Sequence, residues 1–297
     1  MISIIVCSRN PAELSRFSES VSGTIGLPFE IVAIDNSQNK HSIFSAYNEG
    51  ARRSRYDLLC FSHEDIAFHT KDWGKILEQI FTTDASIGLI GVAGSNYRTL
   101  VPSSWGSHAD SNYINLIQGS GRDKTEGQHW INNPTKETLA NVVCVDGVWF
   151  CTRKQIALST GFDEKTFSGF HCYDIDYSLS VLQQFRVAVT SEVLIEHFSQ
   201  GSYSRDWIEA SLTLHQKWQN SLPVSANGPQ QACRIEFELE AALRFSGQMI
   251  SLGYKPLEIF RAMRFVNKKL SLPRVQLVAF CLRVMKMYFR HLLSGKK

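Results

Sequence analysis

Apolar and polar positions alternate in a regular way over the first third of the chain. Continuous apolar runs with the length of a buried β-strand occur at 1–7, 29–34, 56–61 and 87–92. Patterns typical of helices lie between them, at 12–21, 42–54 and 72–81. Because parallel strands are joined by helical crossovers, this alternation predicts an α/β fold with a mostly parallel sheet and helices on both faces.

The middle of the chain breaks the alternation. Residues 95–141 are rich in Gly, Ser, Asn, Trp and His, and a loop of this length inside a domain is more often a functional lid or insertion than an idle connection. We expect some strand within it. Strands are predicted again at 142–150, where Asp146-Gly147 interrupts the run, and at 187–195, with a short helix at 153–159.

Helical patterns replace the strands beyond Pro223, at 233–251, 257–270 and 275–293. We therefore predict a catalytic domain at 1–220 and a basic helical region at 221–297. Residues 255–297 contain eleven Lys or Arg and one acid, a net charge of +10, while the whole chain carries +3, so residues 1–254 carry about −7. The two parts are expected to meet different partners.

The last predicted helix has a basic stripe of Arg283, Lys286 and Arg290, placed opposite Leu282, Met285 and Phe289. This composition is typical of a helix that lies on an anionic membrane surface, and equally of a helix packed on the catalytic domain with solvated basic side chains. A membrane span is excluded because the apolar run 277–282 stops at Arg283. The tail has no recognition module for nucleic acid, which is the weaker alternative.

The overall composition is that of an ordinary globular protein, with 43% hydrophobic and 20% charged residues. Seven scattered cysteines without a Cys-x-x-Cys pair indicate reduced thiols. The first residues lack the basic segment of a signal peptide and read as a strand. We expect a cytoplasmic protein, peripheral at the inner face of the membrane if the tail binds lipid.

Polar groups follow each of the first three predicted strands. Ser8-Arg9-Asn10 comes after the first, Asp35-Asn36 after the second and His63-Glu64-Asp65 after the third. Ligands of open α/β sheets bind beyond the carboxyl ends of the strands, so these groups are expected at one site edge. The alternative for the acids after the third strand is a cap for the next helix.

A second cluster lies later in the chain. The spacing of Ile175, Leu179 and Leu182 predicts a helix whose first turn contains Asp174 and Asp176. Helix capping is the alternative role, and the favoured one for Asp176. His197 follows the last predicted strand, where a hydrogen-bonded core histidine is the alternative to a metal ligand.

The order of these motifs resembles the Rossmann-like GT-A fold of nucleotide-sugar glycosyltransferases, specifically the family 2-like group, over roughly residues 1–220. Three further matches are an Ala46-Tyr47-Asn48-Glu49-Gly50 segment that lacks the family's arginine, Tyr173-Asp174 in place of a Glu-Asp motif, and the late His197. The family's Asp-x-Asp motif corresponds to Ser62-His63-Glu64-Asp65, in which the first Asp is missing.

The resemblance implies a nucleotide-diphospho-sugar donor, preferentially a UDP-sugar, and Mn²⁺ or Mg²⁺ held by Asp65 and His197. It implies Asp174 as the base of an inverting transfer to a surface glycan or lipid-linked saccharide. Expected nucleotide contacts are Ser8, Arg9, Asn10, Asp35, Asn36, Asn48 and Glu64. Expected sugar or acceptor contacts are Asp146, Gly147, Trp149, Tyr173 and Asp176, with Trp149 alternatively a core residue.

The insertion, with Trp105, His108, His129 and Trp130, is expected to cover the acceptor side. A zinc site built from its histidines is disfavoured because no cysteine stands at ligand spacing beside them. Two other functions remain open. A catalytically idle sugar-nucleotide-binding or scaffold protein would explain the missing Asp, whereas a dinucleotide oxidoreductase is disfavoured because no Gly-x-Gly-x-x-Gly turn follows the first strand.

Overall fold

A computed structural model describes residues 1–106, 108–119, 121, 127–199, 201–226, 235–270 and 274–295. In chain order the strands are β1 (Ile2–Ser8), β2 (Phe29–Asp35), β3 (Leu58–Ser62), β4 (Ile66–Phe68), β5 (Ile87–Gly91), β6 (Ala93–Ser95), β7 (Tyr97–Arg98), β8 (Asn112–Gln118), β9 (Gln128–Asn132), β10 (Leu139–Val142), β11 (Cys144–Val145), β12 (Trp149–Arg153), β13 (Arg186–Thr190), β14 (Ile195–His197) and β15 (Val224–Ser225). The helices are α1 (Pro11–Thr24), α2 (Ile43–Arg53), α3 (Trp73–Thr83), α4 (Lys154–Thr160), α5 (Tyr173–Leu182), α6 (Arg205–Trp218), α7 (Ile235–Ser251), α8 (Pro256–Leu270) and α9 (Arg274–Leu293).

The central sheet has the strand order β10-β13-β5-β12-β3-β1-β2. Five of its strands run in one direction, while β12 and β10 run in the other. Ser8 is the register partner of Asp35, and Val6 is the partner of Ser62. The first three strands therefore end together, as their sequence pattern predicts.

Helices cover both faces of this sheet, which confirms the predicted α/β fold. On one face, Phe61 of β3 packs with Tyr47 of α2 and Tyr177 of α5. On the other face, Cys60 lies in a core with Phe17 of α1 and the rings of α3. Each large apolar side chain buried here contributes roughly 1.5–3 kcal/mol to folding.

The prediction of one strand over 187–195 is wrong. The chain turns after Thr190, whose Oγ1 accepts a hydrogen bond from Glu192 N at 3.2 Å, and the segment divides into β13 and β14. β13 stays beside β5, whereas β14 joins a second sheet of order β11-β6-β8-β14-β4. The polar residues Ser191 and Glu192 end β13. The change of sheet then places His197 at the site described below.

The described part of 95–141 contains the expected strands. β8 pairs with β6, β9 and β14 and so builds the second sheet. The two histidines of segment 95–141 contact different residues: His108 lies 3.2 Å from Glu240, and His129 lies 3.0 Å from Asn115. A lid role for this segment stays a prediction.

The C-terminal helices α7, α8 and α9 are present as predicted, although the predicted start at Cys233 lies outside the described residues. A third core joins them to α6 and to the segment after β7, and it contains Leu100, Trp207, Phe245 and Phe280. It therefore crosses the boundary predicted at residue 220, which stays a prediction. Among the described helices, none combines the length and apolarity that crossing a bilayer requires.

Candidate active site

Three side chains from two distant segments meet beyond β3. The turn between β3 and β4 carries His63 and Asp65, and β14 ends in His197, which pairs with Ile66. Asp65 Oδ1 lies 3.8 Å from His63 Nδ1, and Asp65 Oδ2 lies 3.6 Å from His197 Nε2. One ligand atom from each of the three residues falls within 4.8 Å of the others, a spacing that can hold a metal ion.

Hydrogen bonds determine which His63 nitrogen is free. The Tyr173 hydroxyl donates to Gly147 O at 2.8 Å, so its oxygen can accept from His63 Nε2, also at 2.8 Å. The proton of a neutral His63 ring then sits on Nε2, and Nδ1 presents its lone pair toward Asp65. This tautomer is the one that a metal beside Asp65 requires.

The charge state of the cluster also suits a cation. Burial lowers the pKa of His63 to about 4, with His197 acting in the same direction and Asp65 opposing it. Burial likewise lowers the pKa of His197. Burial raises the pKa of Asp65, but the two histidines outweigh it and the net pKa lies below the usual value. At neutral pH the cluster is one carboxylate between two neutral imidazoles.

Glu64 holds the loop after β1 in place. Its Oε2 accepts from Ser8 Oγ at 2.6 Å, and its Oε1 accepts from the main-chain amides of Arg9 and Asn10 at 2.9 and 3.1 Å. Asn10 in turn caps α1, because its side chain accepts from Ala12 N at 3.0 Å. The structure thus brings Glu64 together with the predicted Ser8-Arg9-Asn10 turn, and their nucleotide contacts stay a prediction.

The other residues that are predicted to bind the nucleotide differ in solvent exposure. Asp35 is exposed at the end of β2, and its bonds to Ser37 hold the pKa of the carboxyl below its usual value. The buried Asn36 instead bridges both main-chain groups of His41 at 2.9 Å. Asn48 makes the same kind of bridge to the main chain of Phe162 at 2.8 Å. Asn36 and Asn48 therefore order loops in this structure.

The predicted base lies at the start of α5, beside the Asp146-Gly147 bend. Asp174 Oδ2 accepts from Gly147 N at 3.0 Å, and Oδ1 accepts from Ile175 N at 2.9 Å. A Cβ at Gly147 would stand 2.2 Å from the Tyr173 hydroxyl, so only glycine permits this approach. Asp146 Oδ1 accepts from Val148 N at 2.8 Å, and its carboxylate also hydrogen-bonds the Trp105 side chain.

Both carboxyl groups at this bend have pKa values above the usual range of an aspartate. Burial raises the pKa of Asp174 to about 6, although the hydrogen bonds from Ile175 and Gly147 oppose it. Burial, together with the nearby Asp174, raises the pKa of Asp146 to about 7. Perturbed carboxyl groups of this kind are a common property of acid and base sites.

Two of the predicted sugar contacts are not available in this structure. Trp149 is fully buried and packs edge-on against the rings of Phe68 and Trp73, so it has no open face for a sugar. The residue falls on the α3 side of the sheet because side chains alternate along β12. Asp176 is also buried, with Lys217 Nζ at 2.8 Å and Trp218 Nε1 at 2.8 Å. Its role here is to anchor α6.

The sequence interpretation missed two residues of the site. His63 was noted only as part of a degenerate motif, yet it completes the cluster. Phe170 was not singled out, and its half-exposed ring lies 5.6 Å from that of His63. An exposed aromatic residue just before Tyr173-Asp174 was the available signal, whereas only the fold reveals that His63 and His197 are neighbours.

The structure has relatives of known fold. Residues 1–349 of TarS from S. aureus, solved with UDP, align with 97% of this chain and 88% of their own, with a TM-score of 0.54 and 13% identity. GalNAc-T7, solved with UDP, GalNAc and Mn²⁺, aligns with 91% of this chain at a TM-score of 0.52 and 11% identity. The chain spans 57% of that GalNAc-T7 chain. At these identities the likeness establishes the fold.

Sequence comparison gives the family. No curated protein sequence matches the chain. The profile of a glycosyltransferase-like family, however, matches residues 3–212, which is more than half of the chain and includes every residue of the site described above. The chain therefore belongs to this glycosyltransferase-like family and is a glycosyltransferase with the GT-A fold.

Proposed function

We propose that the protein transfers a sugar from a nucleotide-diphospho-sugar, with UDP-sugars preferred, to an acceptor hydroxyl with inversion. The observation that carries this proposal is the His63, Asp65 and His197 cluster, which Tyr173 links to the Asp174 loop. The UDP in the TarS and GalNAc-T7 structures supports the donor class.

The donor set of the cluster fits a divalent cation. A carboxylate and two neutral imidazoles suit Mn²⁺ better than Mg²⁺, which prefers oxygen ligands alone. When bound, the cation supplies Lewis acidity that neutralises the departing diphosphate. His63 and His197 would hold it through ring nitrogens and Asp65 through a carboxylate oxygen.

Asp174 is proposed as the general base. Its carboxylate would take the proton of the acceptor hydroxyl while that oxygen bonds to the anomeric carbon and the bond from this carbon to the diphosphate oxygen breaks. The Gly147 and Ile175 amides fix the carboxylate orientation. A single displacement of this kind inverts the anomeric carbon.

The acceptor is proposed to be a surface glycan or a lipid-linked saccharide, reached from the cytoplasm at the inner face of the membrane. Phe170 offers the aromatic surface that Trp149 cannot, because the residue is 46% exposed and its ring lies beside that of His63. Aromatic faces are suited to pack against the apolar face of a sugar ring. The net positive tail would keep the protein near anionic lipids.

Turnover of a UDP-sugar panel tests the proposal. Transfer or slow donor hydrolysis should require Mn²⁺ and should be lost in Asp174→Asn, which retains the shape of the side chain. Asp163→Asn is a matched control, since Asp163 is a partly exposed partner of Lys217 and no member of the cluster. Binding of the donor without any turnover would identify a sugar-nucleotide-binding protein instead, and metal-independent turnover would contradict the role of the cluster.

A further inference from the structure

Helix α9 has two apolar faces. Phe280 and Val284 lie on the buried face and belong to the core shared with α7 and α8. Six large apolar side chains are exposed on the same helix, namely Val275 (81%), Val278 (56%), Leu282 (66%), Phe289 (54%), Leu292 (57%) and Leu293 (87%). Soluble proteins rarely expose so many apolar side chains on one helix. A contiguous exposed apolar surface of this kind marks an interaction site.

Five of these side chains, all but Leu292, form one ridge along the helix. At 3.6 residues per turn they fall within a sector of about 60°, on the side away from Phe280 and Val284. Arg283, Lys286 and Arg290, all on the described part of α9, lie along one edge of this ridge within about 80° of Val275. The sequence expectation that the basic stripe stands opposite Leu282 and Phe289 is therefore wrong, since the face opposite them is the buried one.

We propose that the α9 ridge (Val275, Val278, Leu282, Phe289 and Leu293) docks on an anionic lipid bilayer, with Arg283, Lys286 and Arg290 against the lipid headgroups. The ridge extends over most of the helix, which is about 30 Å long. A helix lying in the interface buries apolar side chains below the headgroups while flanking basic side chains stay at their level.

The positive charge of the surrounding chain favours an anionic bilayer over the other possible binding partners of the ridge. No Asp or Glu occurs after Glu258 in the sequence, so the ridge has only basic or neutral neighbours along the chain. Each basic residue near an anionic surface favours binding. A second copy of the chain, paired through the same ridge, would instead bring identical basic edges together across a two-fold axis. A single exposed helix is also convex, and it forms no groove for a partner helix.

Vesicle flotation of the full chain tests this docking. Wild type should float with vesicles of phosphatidylcholine and phosphatidylglycerol at low salt, and much less with phosphatidylcholine alone. Leu282→Glu with Phe289→Glu should weaken the binding at least tenfold, because charges replace two apolar side chains that the bilayer would bury. Arg283→Glu with Lys286→Glu should weaken it by roughly fivefold or more per residue, and high salt should reproduce this loss.

The matched control is Leu158→Glu with Ile131→Glu, which changes two exposed apolar residues elsewhere and should leave flotation unchanged. The ridge variant should keep a melting temperature close to that of wild type, since Leu282 and Phe289 are exposed and are not members of the third core. A separate measurement uses Phe289→Trp, whose added fluorescence should be quenched by lipids brominated on the acyl chains.

Three results would overturn the proposal. The first is an absence of flotation by wild type with anionic vesicles at low salt. The second is equal binding by wild type and the ridge variant. The third is a dimer of wild type that the ridge variant converts to monomer, as measured by light scattering, because the ridge would then belong to a second copy. Flotation measures lipid binding and does not depend on catalysis. A failure of the proposed docking can therefore be distinguished from a failure of the proposed transferase function.

Discussion

The Tyr173 hydroxyl lies 2.8 Å from His63 Nε2, and it donates to the main-chain oxygen of Gly147 at the same distance. Gly147 N in turn donates to Asp174. One phenol therefore connects the candidate metal cluster to the loop that orients the candidate base. Because this bond assigns the His63 proton to Nε2, Tyr173 supports the cluster as well as the base.

Replacing Tyr173 with Phe should weaken metal binding while preserving the fold. Without the hydroxyl, nothing in the described site holds the His63 ring in the tautomer that exposes Nδ1. The loss of such a supporting hydrogen bond typically costs about 10–100-fold in metal affinity. Calorimetric titration with Mn²⁺ measures the change, and Tyr177→Phe, one turn further along α5, is the control that should retain wild-type affinity.

Tyr173→Phe retains the ring contacts with Phe44 and Tyr47, so the fold should be preserved. Because Gly147 O and His63 Nε2 lose a partner, the free energy of unfolding should fall by about 1–3 kcal/mol. If Tyr173→Phe binds Mn²⁺ as tightly as wild type, the ring of His63 is not held through this bond and the tautomer argument fails.

The activity should depend on the ionisation of Asp174. A general base acts only when deprotonated, and the pKa of Asp174 is raised to about 6. The turnover number should therefore be constant above pH 6 and fall about tenfold per unit below it. Steady-state rates with saturating donor and acceptor give this profile.

Loss of metal at low pH would produce a similar fall, because the histidines of the cluster also take up protons. Mn²⁺ affinity is therefore measured over the same range as a control. A turnover number that stays constant down to pH 4.5 with metal still bound would show that Asp174 is not the base.

Glu238 connects α7 to the catalytic part of the chain. It is fully buried, and it accepts from the Tyr97 hydroxyl at 2.8 Å and from the amides of Leu100 and Val101 at 2.9 and 3.1 Å. Glu238→Ala leaves these three donors without their acceptor and removes a carboxylate that interacts electrostatically with the buried Arg98. We therefore expect a loss of about 3 kcal/mol or more in the free energy of unfolding.

Urea denaturation measures this loss. Glu240→Ala, two residues along the same helix, removes partly exposed pairs with Arg244 and His108 and should cost about 1 kcal/mol or less. Equal effects of the two substitutions would contradict the account of how the tail is joined to the sheet.

Substitutions at two aromatic residues should separate an effect on stability from an effect on acceptor binding. Trp149→Phe leaves space in the core and should cost about 1–2 kcal/mol with little change in the KM for acceptor. Phe170→Ala changes an exposed ring and should alter stability by less than about 0.5 kcal/mol while raising the acceptor KM several-fold. The reverse pattern would restore Trp149 as the sugar contact.

Local periodicity was sufficient to predict the elements that pack on the central sheet. The β-branched run of β1 and the apolar spacing of α5 both form where the pattern indicates. Strand ends also predicted that Ser8 and Glu64 would lie together, because the ends of adjacent parallel strands share an edge.

Features that depend on contacts between distant segments could not be predicted in this way. His63 and His197 become neighbours only because the chain changes sheets after Thr190, and the two-residue turn responsible gives a weak sequence signal. The burial of Trp149 depends on which face of β12 meets α3. Likewise, periodicity could not indicate which apolar face of α9 the other helices cover.

The most direct test of the central claim is a calorimetric titration of the protein with UDP in the presence and absence of Mn²⁺. The account predicts tight UDP binding that requires the metal and that is lost when Asp65 and His197 are both replaced by Ala, with the fold preserved. UDP binding of the same strength in a chelator would contradict the metal site, and the absence of binding to any nucleoside diphosphate would contradict the proposed donor.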